Sequence, residues 1–321
     1  MCIRDRINLE LLRSNNKDGI SLINVIDHSS TSMGGRMLKR WIIHPIIDLK
    51  ELEFRHQCVD YFVKNNNDLD QVCTILKSFS DLERIMAKVA TSKISPRELI
   101  QLKNNLKSIK PLKKLLDSSF NEFIQKISNS LNLCEKLIDI LETTLDEEAP
   151  VSVSKGNVVN RGFNLELDQL KDLSKSGKNY LTEIQNREIE NTGIGSLKIS
   201  FNNVFGYYLE VRNLHKDKVP EDWIRKQTLV NAERYITQEL KDYESKILGA
   251  EEKILSLETQ IFNDLILKLT PFISVIKINS HWLAILDCLC GFGILAEKMN
   301  YSYPAINNSN EIKIIEGRHP V

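Results

Sequence analysis

Glycine and proline are scarce in this chain, at 13 and 8 of 321 residues. So few breakers argue against a turn-rich all-β fold and favour long helices. Net charge is absent as well, with 43 Lys+Arg against 43 Asp+Glu. No global field therefore draws the chain to polyanions, and any nucleic-acid contact has to come from local charge. Nor is there a long apolar run. The longest, 282–296, is interrupted by Asp287 and is too short to span a bilayer, so it predicts a buried core helix. No Cys-x-x-Cys pair occurs among the six cysteines at 2, 58, 73, 134, 288 and 290, and the first six residues, which have no apolar core, do not read as a signal peptide. Free thiols in a reducing cytosol are the expected state, with Cys288 and Cys290 as core packing.

Catalytic motifs are missing too. The six histidines (28, 44, 56, 215, 281, 319) are dispersed and lack metal-ligand spacing. Ser176-Gly177-Lys178-Asn179 lacks both the upstream glycine and the hydroxyl of a phosphate-binding loop. Asp146-Glu147-Glu148 reads as a solvated turn. No nucleophile and base can be paired, so the residues predict no enzyme, no cofactor and no metal within this chain. An apolar content of 42% over 321 residues still suffices for a real core.

What the sequence does contain is helical pattern. Thr31-Ser32-Met33-Gly34-Gly35 precedes an apolar-periodic run to Ile43, stopped by Pro45. The glycine pair could form an anion nest but reads better as the first turn of a helix. Leu52, Val59, Phe62 and Val63 predict a helix over 48–64, and Leu82, Ile85, Met86 and Val89 share a face over 81–91. Ser95-Pro96-Arg97-Glu98 is a strong helix start, and helices continue to about Leu145. Val151-Ser152-Val153-Ser154 alternates like a short extended segment, as does Ile312-Lys313-Ile314-Ile315, which reads as a strand opening a new domain.

Two seams dominate the second half. Leu167, Leu170, Ser174, Gly177, Leu181 and Ile184 alternate spacings of 3 and 4, and so do Ile236, Leu240, Tyr243, Ile247, Ala250, Ile254, Leu257 and Ile261. They predict two antiparallel helices, one of about 40 Å and one, over 231–269, of roughly 55 Å. Between them lies a polar β-rich knot, 197–231. In it Leu197, Ile199 and Phe201 face one way and Lys198 and Ser200 the other, with Tyr207, Leu209 and Val211 as a matching apolar face. The fold class expected is mainly α: a helical core, long antiparallel lever helices and a small β-rich clamp at their tip.

The knot carries groups suited to a phosphate backbone. Asn202 and Asn203 offer amides that bond phosphate oxygens without demanding a sequence. Arg225, Lys226, Gln227, Thr228 and Asn231 are expected at the N-terminus of the long helix, where the dipole favours anions. Lys198 is a further candidate. Between 192 and 241 there are eight Lys/Arg against six Asp/Glu, a mild bias and not a basic patch.

Phe201-Asn202-Asn203-Val204-Phe205-Gly206-Tyr207-Tyr208 and Arg225-Lys226-Gln227-Thr228-Leu229-Val230-Asn231-Ala232-Glu233-Arg234-Tyr235-Ile236 resemble the clamp segment of the MutS family of DNA mismatch-repair proteins. Met33-Gly34-Gly35-Arg36-Met37-Leu38-Lys39-Arg40-Trp41, Asp81-Leu82-Glu83-Arg84 and Pro96-Arg97-Glu98-Leu99 resemble its core domain, and Glu316-Gly317-Arg318-His319-Pro320-Val321 the opening of its ATPase domain. The resemblance implies a core and lever over 7–172, a clamp over 173–238, a lever return and second core part over 239–305, and the start of an ATPase domain over 306–321. Residues 1–6 do not match and are expected to be a non-native scar, and both ends look cut. It further implies double-stranded DNA as partner, a homodimer of two subunits, a MutL-type repair partner, and a cytoplasmic, nucleoid-associated location. ATP and Mg would belong to an ATPase domain outside the chain, and mismatch reading to a Phe-x-Glu domain likewise outside it. Val230 stands where relatives often have Lys. The competing readings are a coiled-coil scaffold that binds protein through its stalk and a MutS-related paralogue acting in recombination.

Overall fold

The computed structural model describes residues 8–202, 204 and 206–321, apart from the side chains of 177–179. Asn203 and the side-chain environment of Gly177 thus lie outside the described residues. The chain divides into two compact units, 1–143 with 265–321, and 144–264.

The first unit is helical: α1 (Leu22–Ile26), α2 (Ser32–Ile43), α3 (Leu49–Lys64), α4 (Asn66–Leu76), α5 (Leu82–Ala90), α6 (Pro96–Asp117), α7 (Glu122–Ser130) and α8 (Glu135–Thr144), with α11 (Ile273–Met299) from the far end of the chain. The apolar run lies in α11, which is buried on most sides and packs against α2, α3, α4, α5 and α7. Among the described residues no helix is long and apolar enough to cross a membrane. The expected face of α5 is fully core, with Leu82, Ile85, Met86 and Val89 all buried. In α3 the buried stripe is Phe54, Cys58 and Phe62. Leu52, Val59 and Val63, expected inside, are only half-buried, because the stripe centres on the aromatic residues. The start of α6 is a full capping box: Glu98 N–H donates to Ser95 Oγ at 3.3 Å and Ser95 N–H to Glu98 Oε2 at 3.0 Å.

Buried polar groups tie this unit together. Asp287 on α11 accepts from Ser30 N and Thr31 N, both at 2.8 Å, and from Thr31 Oγ1 at 2.7 Å. Burial pushes its carboxyl pKa up against the pull of those donors. Thr31 Oγ1 in turn accepts from Gly34 N at 3.0 Å, capping α2. A Cβ at Gly34 would meet Asp287 Oδ2 at 2.1 Å, so this position requires glycine. The acidic group in front of Gly34 is thus the chain's own Asp287. The two polar motifs Arg36 and Asp81-Leu82-Glu83 also meet, with Arg36 bonding Asp81 at 2.7 and 2.8 Å and Glu83 beside it.

The second unit holds α9 (Leu165–Thr192), the sheet described below, and the stretch to Asp264 of α10 (Gln238–Leu269). Contacts between α9 and α10 descend in register. Lys171 meets Glu258 at 2.7 Å, the rings of Tyr180 and Tyr243 lie 5.8 Å apart, and Arg187 pairs with Glu239. The helices are therefore antiparallel, as the seams predict. Leu240, Tyr243, Ile247 and Ala250 are buried, but Ile254, Leu257 and Ile261 only half so. Glu258 is fully buried instead, its Oε1 accepting from Lys171 and from Val158 N at 3.2 Å.

Two strands expected from alternation do not form. Val153–Lys155 is a short 3-10 turn, and only a single bridge, Leu145 to Val159, forms nearby. Segment 312–315 is irregular with Ile312, Ile314 and Ile315 exposed, because no strand among the described residues pairs with it.

Candidate nucleic-acid interface

Four strands fill the span between α9 and α10: β1 (Lys198–Asn202), β2 (Gly206–Arg212), β3 (Ile224–Thr228) and β4 (Ala232–Ile236). They form an antiparallel sheet in the order β1-β2-β4-β3. Alternation places Ile199, Leu209, Val211 and Tyr235 on the inner face. There they pack with Leu197, Trp223, Ile184, Ile194 and Leu240. Phe201, expected on the same apolar face, lies with its ring tilted 5.0 Å from that of Tyr207 yet stays 45% exposed at the sheet edge. Gly206 opens β2 at φ 76°, and a Cβ there would meet the Glu244 carboxylate at 2.0 Å.

Arg225, Lys226, Gln227, Thr228 and Asn231 do not sit at a helix N-terminus. The first four lie on edge strand β3, and Asn231 lies in the hairpin tip 229–231 that turns into β4. Helix α10 begins only after Thr237, whose Oγ1 accepts from Leu240 N at 3.2 Å. Ile236 fits the helical spacing but belongs to β4, because residues 224–236 pair as a hairpin before the helix can start. The first turn of α10 holds Glu239, bonded by Arg187 and Tyr180, which keep its carboxyl below the usual range.

The predicted residues divide over the sheet. Register aligns Lys198, Glu210, Arg234 and Gln227 in one row across four strands, on the outer face. Arg225 and Thr228 stand with Tyr235 and Glu233 on the inner side. Lys226 is the inserted residue of a bulge between Arg225 and Gln227. Asn202 lies at the opposite end of the sheet from the hairpin tip, with its Oδ1 accepting from Val204 N at 2.7 Å.

Charges here are mostly shared. Arg225 Nη1 pairs with Glu233 Oε1 at 3.3 Å, and the Tyr235 hydroxyl also donates to Glu233. These two contacts hold the Glu233 carboxyl below its usual range, while burial and Glu233 push the Tyr235 hydroxyl up to about 12. Arg234 is more tightly committed, to Glu210 at 3.2 Å, Gln227 at 2.9 Å and the ring of Tyr208 at 4.4 Å. Lys198, Lys226, Thr228 and Asn231 are exposed. Sequence reasoning missed the exposed Arg212 at the end of β2, and Asn213, which donates to Asn231 O at 3.1 Å and Val230 O at 2.9 Å and so anchors the hairpin tip. Only the strand register could have found them. Val230 is 92% exposed at that tip. The arrangement offers amides, hydroxyls and a few cations, suited to phosphate oxygens rather than base edges. Among the described residues no group of three or more His, Cys, Asp or Glu side chains is placed to hold a metal ion.

Residues 6–293 match the family model described as MutS domain III. The chain is 50% identical over 314 residues to the DNA mismatch repair protein MutS of Flavobacterium johnsoniae. It is 50% identical over 313 residues to that of Parabacteroides distasonis, and 44% identical over 313 residues to that of Porphyromonas gingivalis. Each match covers 98% of this chain, and the chain spans about 36% of the first two relatives and 35% of the third.

Proposed function

The chain belongs to the MutS family of DNA mismatch repair proteins, and from that premise we propose that its sheet grips duplex DNA by the backbone. The observation that carries this reading is the β3–β4 hairpin. It projects Arg225, Lys226, Thr228 and Asn231 to solvent from a sheet held between two long antiparallel helices. About 42 Å of α9 and 48 Å of α10, at 1.5 Å per residue, give that sheet a stiff support. Contacts from amides, hydroxyls and single cations to phosphates position a duplex without reading it. Grip of this kind is sequence-independent and falls steeply with salt.

The domain roles follow the same reading: core and lever over 7–172 and 239–305, clamp over 173–238, and the start of an ATPase domain over 306–321. In the whole protein the helices would link the clamp to ATP hydrolysis with Mg, in a homodimer that engages a MutL-type partner in the cytoplasm near the nucleoid. The grip itself needs neither nucleotide nor metal, and the role proposed for this chain is binding.

Neutralising Arg225→Gln and Lys226→Gln together tests the grip. The plot of log affinity for a duplex against log salt should become shallower by about 1 to 2, with the same change on any DNA sequence. An unchanged slope removes these residues from the contact. It would favour a protein-binding scaffold instead, a reading supported by the half-exposed Leu173, Leu248 and Leu255 on the arm.

A further inference from the structure

We infer that Glu233 is the hairpin's built-in counter-ion, a positioning residue that orients Arg225 and competes with a DNA phosphate for it. The inference rests on the reading of the hairpin as a backbone grip. Glu233 lies on a central strand and its side chain is only 11% exposed, whereas that of Arg225, on the edge strand, is 62% exposed. Its carboxylate serves two donors, the Tyr235 hydroxyl from two residues along the same strand and Arg225 from across the hairpin. Tyr235 and Arg225 are register partners, so the three side chains stand on one side of the sheet.

The bond uses one of five guanidinium N–H donors, and the exposed remainder stays open to a phosphate. A planar fork tethered through one nitrogen and otherwise exposed keeps donors for a bidentate contact. The carboxylate beside it subtracts from the field a phosphate would feel. Arg225 therefore keeps its donors for a phosphate while Glu233 offsets part of its attraction. The neighbouring cations set the contrast. Lys226, displaced by the bulge, makes no ion pair among the described residues. Arg234 is held by Glu210, Gln227 and Tyr208, with a side chain only 19% exposed, and serves the sheet. The hairpin thus ranks its cations as Lys226 full, Arg225 shared and Arg234 structural.

Glu233→Gln keeps an acceptor for Tyr235 and removes the charge. In the 321-residue chain, measured by fluorescence anisotropy on a labelled duplex, it should tighten binding about two- to fivefold at low salt, the range of a partly exposed ion pair. The gain should vanish when Arg225→Gln is added, and should persist when Lys226→Gln is added. A second comparison leaves Glu233 in place, so it does not depend on that variant folding. Arg225→Gln alone should lower the salt slope by clearly less than Lys226→Gln, whose loss should approach the ~0.9 of a full phosphate contact. Glu233→Gln binding no tighter, a gain that survives loss of Arg225, or equal slope changes for the two cations would each overturn the inference while leaving the grip standing. A wild-type chain with no salt-dependent duplex affinity would instead bring down the grip itself, and the inference with it.

Discussion

Asp287→Ala should unfold the helical unit in markedly less urea than the wild-type chain requires. The carboxylate accepts from two backbone N–H groups and one hydroxyl, all in the 30–31 turn that starts α2. Removing it leaves those donors facing a cavity on a helix that is buried on most sides. A buried donor left unpaired costs about 1–3 kcal/mol. Some of that is returned, because burial disfavours the charged carboxyl. A net loss of about 3 kcal/mol is expected, a large fraction of the ~5–15 kcal/mol that a domain has. Asp287→Asn should fall between, since it keeps the shape and one acceptor oxygen but turns an N–H donor toward another. The check is the urea midpoint by circular dichroism, at unchanged slope. A midpoint shift worth less than about 0.5 kcal/mol, the range of an uninvolved surface change, would mean that the network carries no weight.

Trp223→Ala should melt the sheet and leave the first unit folded. Trp223 is 7% exposed and packs on the ring of Tyr235, with centroids 6.0 Å apart, inside the cluster of Ile184, Leu209, Val211 and Leu240. Truncating a buried tryptophan costs about 3–5 kcal/mol. A four-stranded sheet of five- to seven-residue strands has little reserve to absorb it. Hydrogen exchange should show lost protection across 206–212 and 232–236 with 273–299 still protected, and DNA retention should disappear with the sheet. Protected amides in both strands would show that the cluster tolerates the loss.

The large periodic elements were legible in the sequence because their signals are local. The stripe of α5, the capping box at Ser95 and the seam from Leu240 to Ala250 all follow from spacing. The polar ties were not, since Asp287 meets Thr31 across 256 residues and no local pattern announces that. Nor did alternation suffice for 151–154 or 312–315, because a strand needs a neighbour and the sequence does not name one. At the site, residue types singled out the segment from Arg225 to Asn231 but gave it the wrong element, a helix N-terminus in place of a β-hairpin. Ile236 fits both a 3.5-residue seam and a strand, and the hairpin pairing of Arg225 with Tyr235 decided it. The same register set Asn202 at the far end of the sheet and brought in Glu233, Arg212 and Asn213, which composition could not single out.

The most direct test of the central claim is site-specific photo-crosslinking of the 321-residue chain to duplex DNA. A photoreactive amino acid would replace Val230, 92% exposed at the hairpin tip, or, as a reference, Phe120, fully exposed in the helical unit. A backbone grip by the hairpin predicts crosslinks from position 230 to duplexes of unrelated sequence, fading as salt rises, and none above background from position 120. Crosslinks that are absent at 230, or equal at the two positions, would contradict it.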